Sequence, residues 1–424
     1  MQHDTPDSNT CTSTPTKQMN ILLADAFAPS GVDTLASFGC NISHDSSLQS
    51  DALRIAIREH NPAVLIVRST VVTEEMMDAS EHLTLIIRAG AGYDTIDTQA
   101  ASARGIYIAN CPGKNAIAVA ELTWGLILSC DRKIPSQCAE LASGHWDKKK
   151  YSKANGLFGR TIGVVGIGGI GKEVIARAHA FGMNVVAWSR SLTTEKANEL
   201  GVTCADNLLS LAAVSDVVSV HLASTPETDK IIAADFFNEM KSGSIFVNTS
   251  RGKVVDENAL HEIAEHKSIT VGLDVYDNEP RSGEKVFTST LAGAPFVFGT
   301  HHIGASTSQA QEAIADEVVR VVAAFTQEGR VLNCVNLNAD SNAKALLCVR
   351  HKNLPGVLAH VFDELSLAHV NVEEMENVMY SGNQAACARI QLDALPSANV
   401  IAAMKTNNNI LSITVTSQNE EIQK

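Results

Sequence analysis

The chain has no excess of positive charge, no long apolar run and no paired cysteines, and each lack removes a class of protein. Its 33 Lys and Arg against 47 Asp and Glu leave a formal net charge of −14. A nucleic-acid partner demands a basic face, so none is expected. A few local arginines can still hold a small anion. No window approaches the roughly 18 continuous apolar residues of a membrane span, so no membrane partner is expected either. The nine cysteines (Cys11, Cys40, Cys111, Cys130, Cys138, Cys204, Cys334, Cys348, Cys387) are odd in number, scattered and free of any CxxC pair. They read as reduced thiols of a cytoplasmic protein, with no disulfide frame and no metal site. Residues 1–18 lack an apolar h-region and are rich in Ser, Thr, Asp and Gln, which reads as a disordered tail.

What is present is a chain of 424 residues, 45% hydrophobic and 19% charged, enough for two or three globular domains. Short continuous apolar runs alternate with helical spacing from Asn20 onward. Ile21–Ala24, Ala63–Val67, Leu83–Ile87 and Ile106–Ile108 predict four buried strands of a first α/β unit. Thr161–Val165, Val185–Trp188, Asp216–Val220, Ser244–Asn248, Thr270–Leu273 and Phe296–Phe298 predict six strands of a second, doubly wound unit. Hydrophobicity that is continuous rather than alternating suits parallel sheets covered on both faces. After Thr300 a helix with Ala310, Ile314, Val318, Val322 and Phe325 on one side is expected to return to the first unit. The Asn/Asp/Ser-rich stretch at 336–343 reads as a linker. Beyond it, 343–424 fits a β-α-β-β-α-β unit.

One loop points to a dinucleotide. Gly166-Ile167-Gly168-Gly169-Ile170-Gly171 follows a predicted strand and opens a helix carrying Val174, Ile175, Ala178 and Phe181. In that context the glycines serve a tight turn, a close approach to pyrophosphate and close helix–strand packing, with the helix N-terminus facing phosphate. The cofactor expected is NAD or NADP. An NAD enzyme normally carries Asp or Glu ~20 residues further on. Here Trp188-Ser189-Arg190-Ser191 stands instead, and Ser189 with Arg190 suits a 2′-phosphate, so acceptance of NADP is expected. The plainer alternative has Arg190 stacking on adenine.

Hydride transfer at a secondary alcohol needs a cation for the carboxylate and carbonyl and a base for the hydroxyl proton. Asn248-Thr249-Ser250-Arg251-Gly252, Leu273-Asp274-Val275-Tyr276-Asp277-Asn278-Glu279-Pro280 and Thr300-His301-His302-Ile303-Gly304 place such groups just past three predicted strands. Carboxyl ends of parallel strands are where open α/β sheets bind ligands.

These segments resemble the signatures of the D-isomer-specific 2-hydroxyacid dehydrogenases, as do Ala120-Glu121-Leu122, Thr225-Pro226-Glu227-Thr228 and Met240-Lys241-Ser242-Gly243. The resemblance covers about residues 20–330. It implies a Rossmann-type dinucleotide-binding domain at 116–300 and a flavodoxin-like substrate-binding domain built from 19–115 and 301–335. It also implies a homo-oligomer, dimer or tetramer. Arg251 would anchor the carboxylate and polarise the carbonyl, His302 would be the acid/base paired with Glu279, and Asp274 would line the nicotinamide site. Pairing with a carboxylate favours a protonated imidazole, which suits ketone reduction. Two residues depart from the pattern: His301 stands where the family usually has Pro, and Gly169 where Arg or His is common.

Arg68 and Ser69 follow one strand of the first unit, and Arg88-Ala89-Gly90-Ala91-Gly92-Tyr93-Asp94 follows the next. Gly90 and Gly92 would offer backbone N–H groups to a carboxylate, and Arg68 would reach a further anion. Phosphoglycerate dehydrogenases resemble this chain in having Arg after the same strand for substrate phosphate. The expected activity is therefore NAD(P)-dependent oxidation of 3-phosphoglycerate to 3-phosphohydroxypyruvate, the first step of L-serine biosynthesis. The alternatives are an NADP-dependent glyoxylate or hydroxypyruvate reductase and a non-catalytic, dinucleotide-sensing corepressor. His351-Lys352-Asn353-Leu354-Pro355-Gly356 followed by Val370-Asn371-Val372 resembles an ACT domain of the ferredoxin-like type. That resemblance implies an allosteric L-serine site built from His351, Asn353 and Asn371 between paired domains.

Overall fold

The computed structural model describes residues 18–280, 286–338 and 343–417. The expected tail at 1–17, the middle of the expected linker at 339–342 and the last residues, 418–424, lie outside the described residues. The chain divides into two compact units, Met1–Asn336 and Leu337–Lys424.

The first unit holds two parallel sheets. Strands β1 (Asn20–Leu23), β2 (Asn41–His44), β3 (Val64–Val67), β4 (Leu85–Arg88) and β5 (Tyr107–Ala109) pair in the order β2-β1-β3-β4-β5. That is the flavodoxin-like order. Five strands stand where four were expected. The extra one, β2, has the sequence NISH and lies half-exposed at the sheet edge, so no apolar run betrays it.

The second sheet contains β6 (Thr161–Val165), β7 (Asn184–Trp188), β8 (Thr203–Cys204), β9 (Val217–Val220), β10 (Ile245–Asn248), β11 (Thr270–Leu273) and β12 (Val297–Gly299). Its order is β12-β11-β10-β9-β6-β7-β8, a Rossmann-type arrangement with one added parallel strand. The six expected strands are present. The seventh, β8, is an exposed edge of two residues.

The continuous apolar runs have a simple cause. In β10, Ile245 and Val247 enter one core and Phe246 the opposite one. In β9, Val217 enters the first and Val218 and Val220 the second. Each fully buried aliphatic side chain contributes about 1.5–3 kcal/mol of transfer free energy, so both faces of the sheet are driven under cover. The helix Ser308–Glu328 starts on the Thr307 hydroxyl, which accepts from the Ala310 N–H, and stops at Gly329 with φ +66°. Its Ile314, Val318, Val321 and Val322 pack into the core of the first sheet. Residues late in the sequence thereby complete the early lobe.

The second unit runs β13 (Ala345–Lys352), helix Val357–Leu367, β14 (Val372–Met379), β15 (Ala385–Leu392), helix Ala398–Met404 and β16 (Ile410–Ser417). Its antiparallel sheet has the order β14-β15-β13-β16. Ala345, Leu347 and Val349 of β13 and Ala388, Ile390 and Leu392 of β15 form its core with Val361, Leu365 and Met404. β14 is an edge strand with almost every residue exposed.

Candidate functional site

The loop after β6 has the geometry a pyrophosphate needs. Gly166 adopts φ +94°, and a side chain there would also meet the His221 carbonyl oxygen at 2.5 Å. A Cβ at Gly171 would fall 2.1 Å from the Gly166 oxygen, so helix and loop touch only because the residue is glycine. Nothing stands within 4 Å of the Cβ direction of Gly168, which leaves the approach to the helix N-terminus open. Gly169 begins the helix Gly169–Ala180, and Ile170 packs against the core. The residues present therefore fit a dinucleotide. Past the end of β7, Arg190 is exposed, and Ser189 and Ser191 lie with their hydroxyls 3.4 Å apart. No carboxylate occupies positions 189–192.

Three adjacent strands present the catalytic candidates. The Asp274 N–H donates to the Asn248 carbonyl (3.0 Å), and the His302 N–H donates to the Asp274 carbonyl (2.8 Å). This short ladder ties the segments after β10, β11 and β12 together. Neighbouring strands lie ~4.8 Å apart, so the ends of β10 and β12, from which the Arg251 and His302 segments leave, stand roughly 10 Å apart across the sheet. His302 Nδ1 lies 2.6 Å from Glu279 Oε2. A carboxylate only accepts, so Nδ1 carries the proton and Nε2 is the nitrogen left for substrate. Glu279 is itself fixed by the Tyr276 N–H, which donates to Oε1 at 3.0 Å. His302, not His301, makes this contact.

Asp274 is 1% exposed. Its Oδ1 accepts from the Thr300 hydroxyl (2.6 Å) and the Ile303 N–H (2.8 Å), and its Oδ2 from the Gly304 N–H (2.8 Å). The sequence-based expectation placed this residue at the nicotinamide. The structure commits both oxygens to the loop that carries His302, because three donors converge on one buried carboxylate.

Arg251 is held on two sides. Its Nε and Nη2 donate to Asp94 (3.2 and 3.0 Å), and its Nη1 donates to the Ser250 carbonyl (2.8 Å). A guanidinium has five N–H donors. Asp94 takes the Nε and Nη2 hydrogens along one side of the guanidinium, which keeps it off the flat end of the fork, the end that matches a carboxylate. Gly92 makes room for it, since a Cβ there would lie 1.9 Å from Nη2. Burial pushes the Asp94 carboxyl up, but the hydrogen bonds and charge of Arg251 outweigh it and hold the group below the usual carboxylate range.

Arg88 lies beside this pair. Burial first, then the charge of Arg251, pushes its guanidinium down to about 10, while Asp94 acts in the opposite direction. Its Nε is buried without a partner. Ala89 is buried in the core below. Arg68 Nη2 reaches the Ser306 hydroxyl at 3.4 Å. Two expectations need correction here. The Gly90 N–H does not await a ligand, because the turn folds it back to donate to the Arg88 carbonyl at 2.7 Å. The Ser69 hydroxyl donates to Asp25 Oδ1 at 3.0 Å. Asp25 also accepts from the backbone N–H groups of Arg68, Ser69 and Thr70 (2.6, 3.1 and 3.2 Å), so Ser69 shapes the loop that aims Arg68.

Asp25 and Asp94 were missing from the sequence-derived site. The signal that would have found them is position: each follows the end of a parallel strand, β1 and β4. Asn110 belongs with them, its Nδ2 donating to the Ala91 carbonyl at 2.6 Å. The Thr123 and Thr249 hydroxyls, 2.9 Å apart and buried, fasten the turn before Arg251 to the helix Ala116–Arg132.

In the second unit His351 is 2% exposed. Its Nδ1 donates to the Lys352 carbonyl at 2.8 Å, and its Nε2 lies 3.3 Å from Asn377 Oδ1. Asn353 Nδ2 donates to the Asn383 carbonyl at 3.0 Å and lies 3.4 Å from the sulfur of Met379. Asn371 precedes the other end of β14, its N–H donating to Asp393 at 2.8 Å. The structure therefore brings His351 and Asn353 to one end of β14 and leaves Asn371 at the opposite end.

Among the described residues no helix is long and apolar enough to cross a membrane, and no group of His, Cys, Asp and Glu is arranged to hold a metal. The eight described cysteines are unpaired.

Comparison with known proteins agrees with this geometry. The family model "D-isomer specific 2-hydroxyacid dehydrogenase, NAD binding domain" matches residues 124–304. A D-3-phosphoglycerate dehydrogenase of Methanocaldococcus jannaschii is 36% identical over 332 residues, covering 77% of this chain and 62% of its own length. The chain thus spans about six-tenths of that relative. A hydroxypyruvate reductase of Thermotoga maritima is 40% identical over 277 residues, covering 65% of this chain and 88% of its own. The crystal structure of an NAD+-bound 3-phosphoglycerate dehydrogenase from Entamoeba histolytica superposes with a TM-score of 0.64 at 26% identity, over 76% of this chain and 99% of that one. Strand order, glycine loop, the Arg251, Glu279 and His302 set and sequence likeness converge: the chain belongs to the D-isomer specific 2-hydroxyacid dehydrogenase family.

Proposed function

We propose that the protein oxidises 3-phosphoglycerate to 3-phosphohydroxypyruvate with NAD or NADP, the first step of L-serine biosynthesis. The observation that carries this reading is the cluster of three guanidinium groups, Arg68, Arg88 and Arg251, whose charges interact around the Gly90–Gly92 turn with Asp94. Arg251 alone suffices for a carboxylate. The surplus positive charge suits a second, phosphate-like anion on the same small substrate.

The Gly166–Gly171 loop would hold the coenzyme pyrophosphate, with Ser189 and Arg190 beside the adenosine ribose. Bound coenzyme supplies the hydride acceptor. Arg251 grips the substrate carboxylate through the free end of its fork and draws electron density from the reacting carbon's oxygen. His302 Nε2 takes the hydroxyl proton during oxidation and returns it during reduction, while Glu279 holds the ring in register.

A second reading, reduction of glyoxylate or hydroxypyruvate with NADPH, is favoured by the absence of a carboxylate after β7. Coenzyme oxidation followed spectrophotometrically with 3-phosphohydroxypyruvate, hydroxypyruvate and glyoxylate, each with NADH and NADPH, separates the two. On the leading reading Arg68→Ala selectively weakens use of the phosphorylated substrate, and equal loss on all three would count against it.

The second unit fits an ACT-like regulatory role for L-serine in a homo-oligomer. Because Asn371 and Asn353 flank opposite ends of β14, a site using all three residues requires two copies with their β14 edges antiparallel. Titration of activity with L-serine tests this, and a flat response through millimolar concentrations would leave the module without that effector.

A further inference from the structure

We infer that Asp94 is a positioning residue for Arg251, a clasp thrown from the substrate lobe that sets the guanidinium in the plane where it can receive a carboxylate. The inference rests on the proposed role of Arg251 as carboxylate anchor and assigns a task to a residue outside that machinery.

The reasoning starts from what Arg251 lacks. It follows β10 in a turn whose Thr249, Ser250 and Gly252 are buried while Arg251 itself is only half-buried, and an arginine side chain has many rotamers to lose. Its own lobe supplies one restraint, the Ser250 carbonyl on Nη1. A single contact leaves the fork free to swing about that bond. Asp94 adds contacts to Nε from both carboxylate oxygens (3.2 Å each) and to Nη2 from Oδ1 (3.0 Å). Side-on pairing of this kind fixes the guanidinium plane as well as its place.

The pair links residues 157 positions apart and bridges the segment after β4 to the segment after β10. The backbone is adapted to it. Gly92 has no Cβ where Nη2 lies, and Asn110 holds the Ala91 carbonyl just before it. Asp94 is 45% exposed at the side chain and Arg251 is 25% exposed, so as a mere surface ion pair it would add little stability. Its geometry, rather than its energy, is what the site uses. The pair also leaves the substrate-facing end of the fork untouched, so Asp94 and a bound carboxylate do not compete for the same two hydrogens.

The test compares the full-length wild type with Asp94→Ala, Asp94→Asn and Arg251→Ala, using 3-phosphohydroxypyruvate and NADH. Asp94→Ala is expected to lower kcat/KM roughly a hundredfold, the scale of a small misplacement of a positioning group, with NADH affinity by fluorescence titration unchanged. Asp94→Asn, which keeps one acceptor, restores a large part of the loss. The double variant Asp94→Ala/Arg251→Ala is no worse than Arg251→Ala alone. Additive losses, or a parallel fall in NADH affinity, would overturn the clasp. If Arg251→Ala itself leaves turnover intact, the functional reading fails instead. A crystal structure of Asp94→Ala decides the matter without turnover: the Arg251 fork leaves its plane if the inference holds, and an unmoved fork refutes it.

Discussion

Glu279 Oε2 stands 2.6 Å from Nδ1 of His302, and His302 adopts φ +53°, a left-handed backbone region uncommon outside glycine, which asparagine, aspartate and histidine enter more often than other residues. The imidazole is thus held by a carboxylate on one side and by an unusual backbone turn beneath it.

That arrangement makes His302→Asn the informative substitution, since asparagine tolerates the turn while removing the proposed acid/base. A loss of about a hundredfold to ten-thousandfold in kcat is expected, with the thermal midpoint near wild type. Glu279→Gln should lose less, because the ring keeps its chemistry and loses only its guide. Steady-state kinetics with a circular-dichroism melt checks both.

Asp274→Asn exchanges one acceptor for a donor against three converging donors, those of Thr300, Ile303 and Gly304. A buried N–H left without a partner costs about 1–3 kcal/mol. Lower denaturant stability together with lower kcat is expected. A variant that is slow yet fully stable would speak against the loop-holding role.

Glu317 gives a pH prediction. It is 4% exposed, and hydrogen bonds from Arg320 first, then Asn333 and Lys114, outweigh burial and bring its pKa from 4.5 down to about 2. A carboxyl whose folded value is depressed stabilises the protein above its ordinary value and loses that contribution as pH falls through the folded one. Glu317 should therefore weaken the fold between about pH 4.5 and 2. Glu317→Gln should be less stable at neutral pH and should flatten that part of the acid-unfolding curve. Urea titrations across that range read both effects.

Coenzyme choice is tested at β7. On the proposed reading, Ser189→Asp places a carboxylate where the 2′-phosphate of NADP would lie, so the ratio of kcat/KM for NADPH over NADH should fall roughly tenfold or more, the equivalent of about 1.4 kcal/mol. An unchanged ratio would remove Ser189 and Arg190 from coenzyme discrimination.

How much of this was legible in the sequence depends on where a residue's partners lie. β6, β10 and β11 were plain because burial on both faces leaves an unbroken apolar run. β2, β8 and β14 sit at sheet edges, where one side of the backbone faces solvent and NISH, TC or VEEMENVM can serve as strand. The candidate trio Arg251, Glu279 and His302 could be picked out because each residue sits in a local motif after its own strand. Asp25 and Asp94 were not, since their partners are 43 to 157 residues distant and their one local signal, a place after a strand end, does not say which group they hold.

The open margin of β14 has a further consequence. A bare strand border invites any similar border to zip onto it, yet this one carries Glu373, Glu374 and Glu376. Glu376 pairs with Arg389 of β15 at 3.8 Å, so two such borders brought together would add four further carboxylates, Glu373 and Glu374 of each copy, along one seam. Added salt would quiet that repulsion, so self-association of this module should tighten with ionic strength, the reverse of contacts built on opposite charges.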